Sequence, residues 1–341
     1  MGTATFNLKT PFQNMKYLFS FLLLFSSSYS FAQTSRVKQV SLILDTDIGP
    51  DYDDVGAIAL MHALADKGEV KPLAVIASNK NQLVAPTIEI LNTYFGRPEL
   101  LIGAPKGDAP DMGASQKWPE MLVEQYPHKI KSTDEVPDAI TVYRKILASQ
   151  PDQSVTIVTI GFLTNLSNLL KSEPDEISKL SGMDLVKRKV KEVVSMAGGF
   201  PKGREFNVMI DSLASENVFL NWPTQITFSG FEIGNEIKTG LKLIGNENLK
   251  SPVKDVYALA MPMSKGDEQG RMSWDQTAVL VGVRGAQHYF DLKRGKIIIM
   301  GGNNEWRDDP MGPHAYLTRE MSFADLAQVI ESLMMHKGSD K

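Results

Sequence analysis

Ser41-Leu42-Ile43-Leu44-Asp45-Thr46-Asp47-Ile48-Gly49-Pro50-Asp51-Tyr52-Asp53-Asp54 is the stretch from which the fold is read. Ser41 to Leu44 is a short apolar run of the kind that fills a parallel sheet covered on both faces. Gly49-Pro50 is a turn signal. From Asp53 onward, Val55, Ile58, Ala59, Met61, His62 and Leu64 carry the three-and-four spacing of an amphipathic helix. The acids therefore fall on a loop between strand and helix, at the carboxyl end of the strand, where open α/β sheets place their ligands.

Five carboxylates within ten residues repel one another. Asp53 and Asp54 have an ordinary explanation, because acids at a helix start act as caps and meet the positive end of the dipole. Asp45 and Asp47, which flank a threonine at the end of an apolar strand, do not. A hard cation with oxygen ligands, Ca²⁺ or Mg²⁺, is the simplest way to hold such a group together.

Outward from this stretch, the 341 residues allow one large domain or two small ones. A hydrophobic fraction of 43% with 22% charged residues is ordinary for a globular chain. The net charge of −4 gives no electrostatic footprint for nucleic acid. The absence of cysteine removes disulfides, thiolate metal sites and cysteine nucleophiles together. Residues 1–32 read as an export signal: Lys16 precedes the apolar run Tyr17 to Phe25, and Ser30 and Ala32 suit cleavage before Gln33. That run is shorter than the roughly 20 apolar residues of a membrane span. The expectation is an exported, periplasmic or extracellular protein with no membrane association after cleavage.

Strand and helix patterns then alternate. Lys71 to Ala77 is a strand followed by a helix from Leu83 to Phe95, and Leu100 to Gly103 is a third strand. Gly107 to Lys117 reads as a loop and Val136 to Ser149 as a helix. Val155 to Ile160 and Val190 to Met196 are strands, with a helix after Asn165. Leu213 to Asn221, Val253 to Met261 and Trp274 to Val283 read as helices, and Gln225 to Ser229 as a strand. Lys296 to Met300 and Ala315 to Thr318 look like short peripheral strands. A final helix through Phe323, Leu326, Ile330 and Leu333 starts at Ser322. Such alternation implies parallel strands with right-handed crossovers. The fold class is α/β, a doubly wound, mostly parallel, Rossmann-like sheet in one domain over residues 36–338.

Parallel strands put their carboxyl ends on one rim. The acid loop, Asn79, the Ile160-Gly161 handover and Glu205-Phe206-Asn207 should converge there. Asp275 opens a helix after the loop Ser264 to Ser273, which its glycines and Asp267 make flexible. Converging acids and amides around a cation suit a polyhydroxylated ligand such as a sugar. Each residue has an ordinary reading too: Asn79 as a turn residue, Glu205 as a surface acid, Asp275 as an N-cap.

Asp45-Thr46-Asp47-x-Gly with Asp53-Asp54, Ser78-Asn79, and Val158 to Asn165 occur in that order. Met196-Ala197-Gly198-Gly199 with Glu205-Phe206-Asn207, and Trp274-Asp275, complete the series. This ordered set resembles the nucleoside hydrolase family, which includes the inosine–uridine preferring enzymes. The resemblance implies a Ca²⁺ ion held by Asp47, Asp54, Asp275 and the main-chain carbonyl of Ile160. It implies ribose hydroxyls held by Asp53, Asn79, Glu205 and Asn207, with Asp47 taking a proton from the attacking water. Cleavage of an N-glycosidic bond passes through an oxocarbenium-like state, which surrounding carboxylates stabilise.

Three departures from the family pattern stand out. The acid loop is longer by two residues, Asp51-Tyr52, so either Asp51 or Asp53 faces the ribose. The connection Phe200 to Arg204 is short and lacks a sugar-binding asparagine. Trp274 replaces the histidine that precedes the late aspartate, which leaves Trp274 as a stacking group and His314 as the remaining candidate proton donor. The resulting expectation is a Ca²⁺-dependent ribonucleoside hydrolase acting on a small molecule, with no nucleic-acid partner and a homo-oligomer allowed. A non-catalytic Ca²⁺-dependent sugar or nucleoside binder competes with it, as does a Mg²⁺ phosphohydrolase using Asp45 and Asp47. The last leaves Asp53, Asp54 and Glu205 idle.

Overall fold

The computed structural model describes residues 39–338, together with residues 1, 2 and 4. The chain divides into Met1–Val37 and Lys38–Lys341, and every element below belongs to the second unit. The apolar run of the expected export signal, Tyr17 to Phe25, lies outside the described residues. Among the described residues no helix is long and apolar enough to cross a membrane.

Among the described residues twelve strands are formed in chain order: β1 (Val40–Thr46), β2 (Val70–Ala77), β3 (Leu101–Gly103), β4 (Val155–Thr159), β5 (Val190–Met196), β6 (Lys202–Gly203), β7 (Gln225–Ser229), β8 (Lys238–Thr239), β9 (Arg271–Met272), β10 (Phe290–Met300), β11 (Asn303–Asp308) and β12 (His314–Arg319). Ten of them make one sheet in the order β3-β2-β1-β4-β5-β7-β12-β10-β11-β6, and β8 and β9 pair separately. From β3 across to β12 the neighbours run parallel. Beyond them β10, β11 and β6 are antiparallel. The sheet is therefore α/β and mostly parallel, as the alternation implied.

Period-two alternation sends each strand's side chains into two cores. Leu42, Leu44, Val75, Val158 and Val194 pack on one face with helices Asp53–Asp66, Trp274–Arg284 and Phe323–Met334. Ile43, Ile76, Ile157 and Val193 pack on the other, with helices Ala139–Ser149 and Thr164–Lys171. Each fully buried Leu or Ile is worth about 1.5–3 kcal/mol relative to exposure. These faces, rather than local propensity, hold the sheet.

Three expectations are corrected. Helix Asp53–Asp66 is not amphipathic: every residue from Asp53 to Leu64 is buried, because helices Trp274–Arg284 and Phe323–Met334 cover the side that the sheet leaves open. The segment Ala315 to Thr318 is not peripheral either. It belongs to β12, which is inserted between β7 and β10 and runs parallel to β7. The segment Lys296 to Met300 is the end of an eleven-residue strand whose first half, Asp291 to Arg294, is exposed and polar but for Leu292, and so carries too little apolar signal.

Candidate active site

The carboxyl ends of β1, β4 and β5 open into a cavity of about 380 Å³. Asp47, Asp51, Asp53, Asp54, Glu205 and Asp275 line its acidic side, with Ile160 and Asn207 at the floor. Phe206, Met209, Phe231 and Trp274 form an apolar wall, and Arg204 and Arg271 also border it. Residues from 47 to 275 are thus gathered at one rim by the parallel order of the strands.

Strand parity decides which acids enter. Asp45 shares the face of Ile43, so its carboxylate points into the opposite helical layer. There it accepts the Tyr143 hydroxyl at 2.7 Å and the Asn165 amide at 3.1 Å. Asp45 is an internal hydrogen-bonding post, which corrects its inclusion among the acids held by a cation. Thr46 faces the other way and donates its hydroxyl to Asp54, while accepting the Ile48 amide at 3.2 Å. Asp47 follows the strand end and is 6% exposed. Gly161 packs against it so closely that a Cβ there would lie 2.4 Å from the Asp47 nitrogen and 2.7 Å from its Oδ1.

Asp51, Asp54 and Asp275 bring carboxylate oxygens within 4.8 Å of one another. Asp275 reaches them from the first turn of helix Trp274–Arg284. Burial, and then Asp53, Asp54, Asp51 and Asp47, raise the Asp275 pKa well above its ordinary value. No hydrogen bond or ion pair to its carboxylate offsets this among the described residues. Burial and neighbouring acids, Asp54 foremost for Asp47 and Asp51 foremost for Asp54, raise those two as well. Three oxygens of hard donor type, with one buried carboxylate lacking any donor, match a divalent cation with oxygen ligands. Asp47 lies on the same wall but outside this triad, and Asp51 stands in it.

The remaining expected residues are placed as follows. Glu205 caps helix Phe206–Ile210, accepting the amides of Asn207 at 2.8 Å and Val208 at 3.2 Å, and accepts Gly198 at 3.2 Å. Asn207 turns its amide toward the carbonyls of Met196 at 3.3 Å and Ile160 at 3.5 Å. Both border the cavity.

Asn79 does not border it. Its amide donates to the carbonyls of Asp47 at 3.0 Å and Met112 at 2.8 Å, and its oxygen accepts the amides of Asn81 and Met112. Its hydrogen-bonding capacity goes into tying Asp47 to the loops at Asn81 and Met112, which corrects its assignment to the ribose. Asp53 is likewise committed: Oδ1 accepts Arg271 at 2.7 Å and Oδ2 accepts the Asp275 amide at 3.3 Å.

His314 is also corrected. It lies at the amino end of β12, beside Ile226 near the start of β7, on the rim away from the aspartates. It is 2% exposed, its Nδ1 accepts the Ile297 amide at 3.2 Å, and burial followed by Lys296 lowers its pKa to about 4. It remains neutral and remote. Trp274 borders the cavity, but its indole N–H donates to the Phe231 carbonyl at 2.8 Å. It is a surface for stacking, with no proton to give.

Sequence reasoning missed Arg271 and Phe231. The loop expected to be flexible is pinned, since Arg271-Met272 pairs with Thr239-Lys238 and the buried Asp267 accepts the Tyr52 hydroxyl. The available signal was the acid excess itself, which calls for an internal cation, and Arg271 stands four residues before Asp275.

The model of the inosine-uridine preferring nucleoside hydrolase family matches residues 42–303. An inosine-uridine preferring nucleoside hydrolase of Crithidia fasciculata is 28% identical over 212 residues, covering 57% of this chain and 61% of that protein. A pyrimidine-specific ribonucleoside hydrolase, RihA, of Shewanella baltica strain OS185 is 32% identical over 213 residues, covering 57% and 60%. The chain thus spans about three fifths of the length of these relatives. The solved structure of an inosine-uridine preferring nucleoside hydrolase from Bacillus anthracis shares the fold at a TM-score of 0.66 and 15% identity, over 87% of this chain and 99% of that one. With the acid loop, the late aspartate and the parallel sheet all in place, this chain belongs to the inosine-uridine preferring nucleoside hydrolase family.

Proposed function

We propose that this protein hydrolyses the N-glycosidic bond of a ribonucleoside or a related ribosyl compound, with Ca²⁺ as its resident ion and after export from the cytoplasm. One observation carries the reading: Asp275 is delivered across the fold to within 4.8 Å of Asp51 and Asp54, buried and without a donor of its own. When bound, the ion supplies charge that grips vicinal hydroxyls and lowers the pKa of an attacking water.

The residues divide the remaining work. Asp47, raised in pKa and held by Gly161 at the cavity wall, accepts a proton from water at the anomeric carbon. Glu205 and the triad Asp51, Asp54 and Asp275 stabilise positive charge as it develops on the ring. Phe231 and Trp274 offer an apolar wall to the leaving group and keep bulk water from that side. The six acids that line the cavity disfavour phosphate esters by repulsion.

A panel of nucleosides assayed for free ribose, with and without EDTA, tests the reading. Ribose released only when Ca²⁺ is present supports it, and phosphate release from nucleotides rejects it. A non-catalytic binder is favoured by one observation, the commitment of the Trp274 N–H to Phe231. Saturable binding without turnover in the same assay would identify that alternative.

A further inference from the structure

Arg271 is the buried cation of an otherwise acidic wall. Its Nη2 lies 2.7 Å from Asp53 Oδ1 and 2.8 Å from Asp51 Oδ2, and its Nη1 lies 3.7 Å from Asp267 Oδ2. Its planar head is clamped between two rings, with Cζ 4.8 Å from the Tyr52 centroid and 5.0 Å from that of Trp274. Tyr52 is fixed in turn, with its hydroxyl on Asp267 and its ring edge-on to Tyr257 at 5.0 Å. The guanidinium therefore has one orientation, set by stacking on both faces and by carboxylates on its edge.

The two acids that share Arg271 differ in what remains to them. Asp53 is 1% exposed and has both oxygens occupied, one by Arg271 and one by the Asp275 amide. It ties the start of helix Asp53–Asp66 to the start of helix Trp274–Arg284. Asp51 has a side chain 45% exposed and belongs to the triad with Asp54 and Asp275. Asp53 does not belong to it.

We propose that Arg271 is a positioning residue that splits the acid loop into two jobs, locking Asp53 into the scaffold and holding Asp51 toward the ion and the sugar. Asp51-Tyr52 supplies both parts of the device: a carboxylate that joins the triad, and a ring on which the guanidinium stacks. This inference rests on the proposed cation site. It names which acid of the loop serves that site, and why.

Calcium alone, titrated calorimetrically into the full chain, tests it without an activity readout. Asp51→Asn is expected to weaken calcium binding at least tenfold. Asp53→Asn is expected to leave binding within threefold while lowering the melting temperature. In an Arg271→Gln background the difference between the two variants should fall below threefold, because neither carboxylate is then held. If Arg271→Gln does not fold, Arg271→Lys gives the same comparison, since it keeps the charge but not the fork. Equal weakening by the two Asn variants in the wild-type background overturns the division of labour. A tenfold difference that persists without Arg271 overturns its positioning role. Wild-type protein that binds no calcium overturns this inference together with the functional reading, whereas the other two outcomes overturn this one alone.

Discussion

The indole of Trp274 stacks on the ring of Phe231 at 5.2 Å and 29°, and donates its N–H to the carbonyl of the same residue at 2.8 Å. One bond and one stack fix the ring at the cavity wall. Trp274→Ala is expected to raise KM for a nucleoside about tenfold, consistent with the ~1–3 kcal/mol that stacking a base on an aromatic ring contributes. The pH profile of kcat should stay in place. A profile that loses its acidic-group limb would show that Trp274 orders a proton donor.

Asp47→Ala should lower kcat by about 10²-fold or more, the scale for loss of a general base. Circular dichroism should show the fold retained, because among the described residues no side-chain bond from Asp47 to another residue holds the sheet. Ribose release at near-normal rates would remove Asp47 from the mechanism.

Gly161→Ala tests the same carboxylate without altering it. The new Cβ would lie 2.4 Å from the Asp47 nitrogen, backbone that has no room to retreat. The expected result is a fall in kcat larger than the fall in calcium affinity, since Asp47 is displaced while the triad is not. Unchanged kcat would mean that the loop relaxes freely.

His62 supplies a pH prediction away from the site. It is fully buried, stacked on Phe95 at 4.9 Å, and its Nε2 lies 2.9 Å from Asn92 Oδ1. Burial first, with Arg97 adding to it, lowers its pKa to about 3. The unfolded chain takes up this proton near pH 6.5 and the folded chain does not. Stability is therefore full above about pH 6.5 and declines as pH falls toward 3. Between pH 7 and 4.5, His62→Gln should remove about 2 kcal/mol of that decline in urea denaturation. Parallel curves for the two proteins would place the pH sensitivity elsewhere.

Asn79→Ala separates bracing from sugar binding. Loss of four bonds to the acid loop and to residues 81 and 112 should lower stability by about 2–4 kcal/mol, at roughly 1 kcal/mol per bond. At saturating calcium KM should change less than threefold. A tenfold rise in KM with unchanged melting temperature would return Asn79 to the ribose.

Much of the scaffold could be read directly, because buried parallel strands are written as apolar runs. Val190–Met196 and Gln225–Ser229 match the expected spans residue for residue. The antiparallel side was harder: Phe290 to Arg294 is largely exposed and polar, so only the apolar end of β10 announced itself. At the site, residue type and spacing were enough to select Asp54, Glu205, Asn207 and Asp275 for the cavity. They were not enough to exclude Asp45, since that requires knowing which face each position of β1 occupies. His314 and Asn79 were misread for the same reason, as neither the rim nor the direction of a side chain is local information. Arg271 left no local mark, because its meaning lies in partners 218 and 220 residues away.

That separation also sets an order of events during synthesis. Asp53 leaves the ribosome 218 residues ahead of the cation that neutralises it, about 10–40 s earlier at ~5–20 residues per second. Until Arg271 emerges, Asp51 and Asp53 lack the guanidinium that they share in the folded chain. A product truncated before that arginine would also lack β10–β12 and helices Trp274–Arg284 and Phe323–Met334, so sheet and pocket alike stay incomplete until the last fifth of the chain has been made.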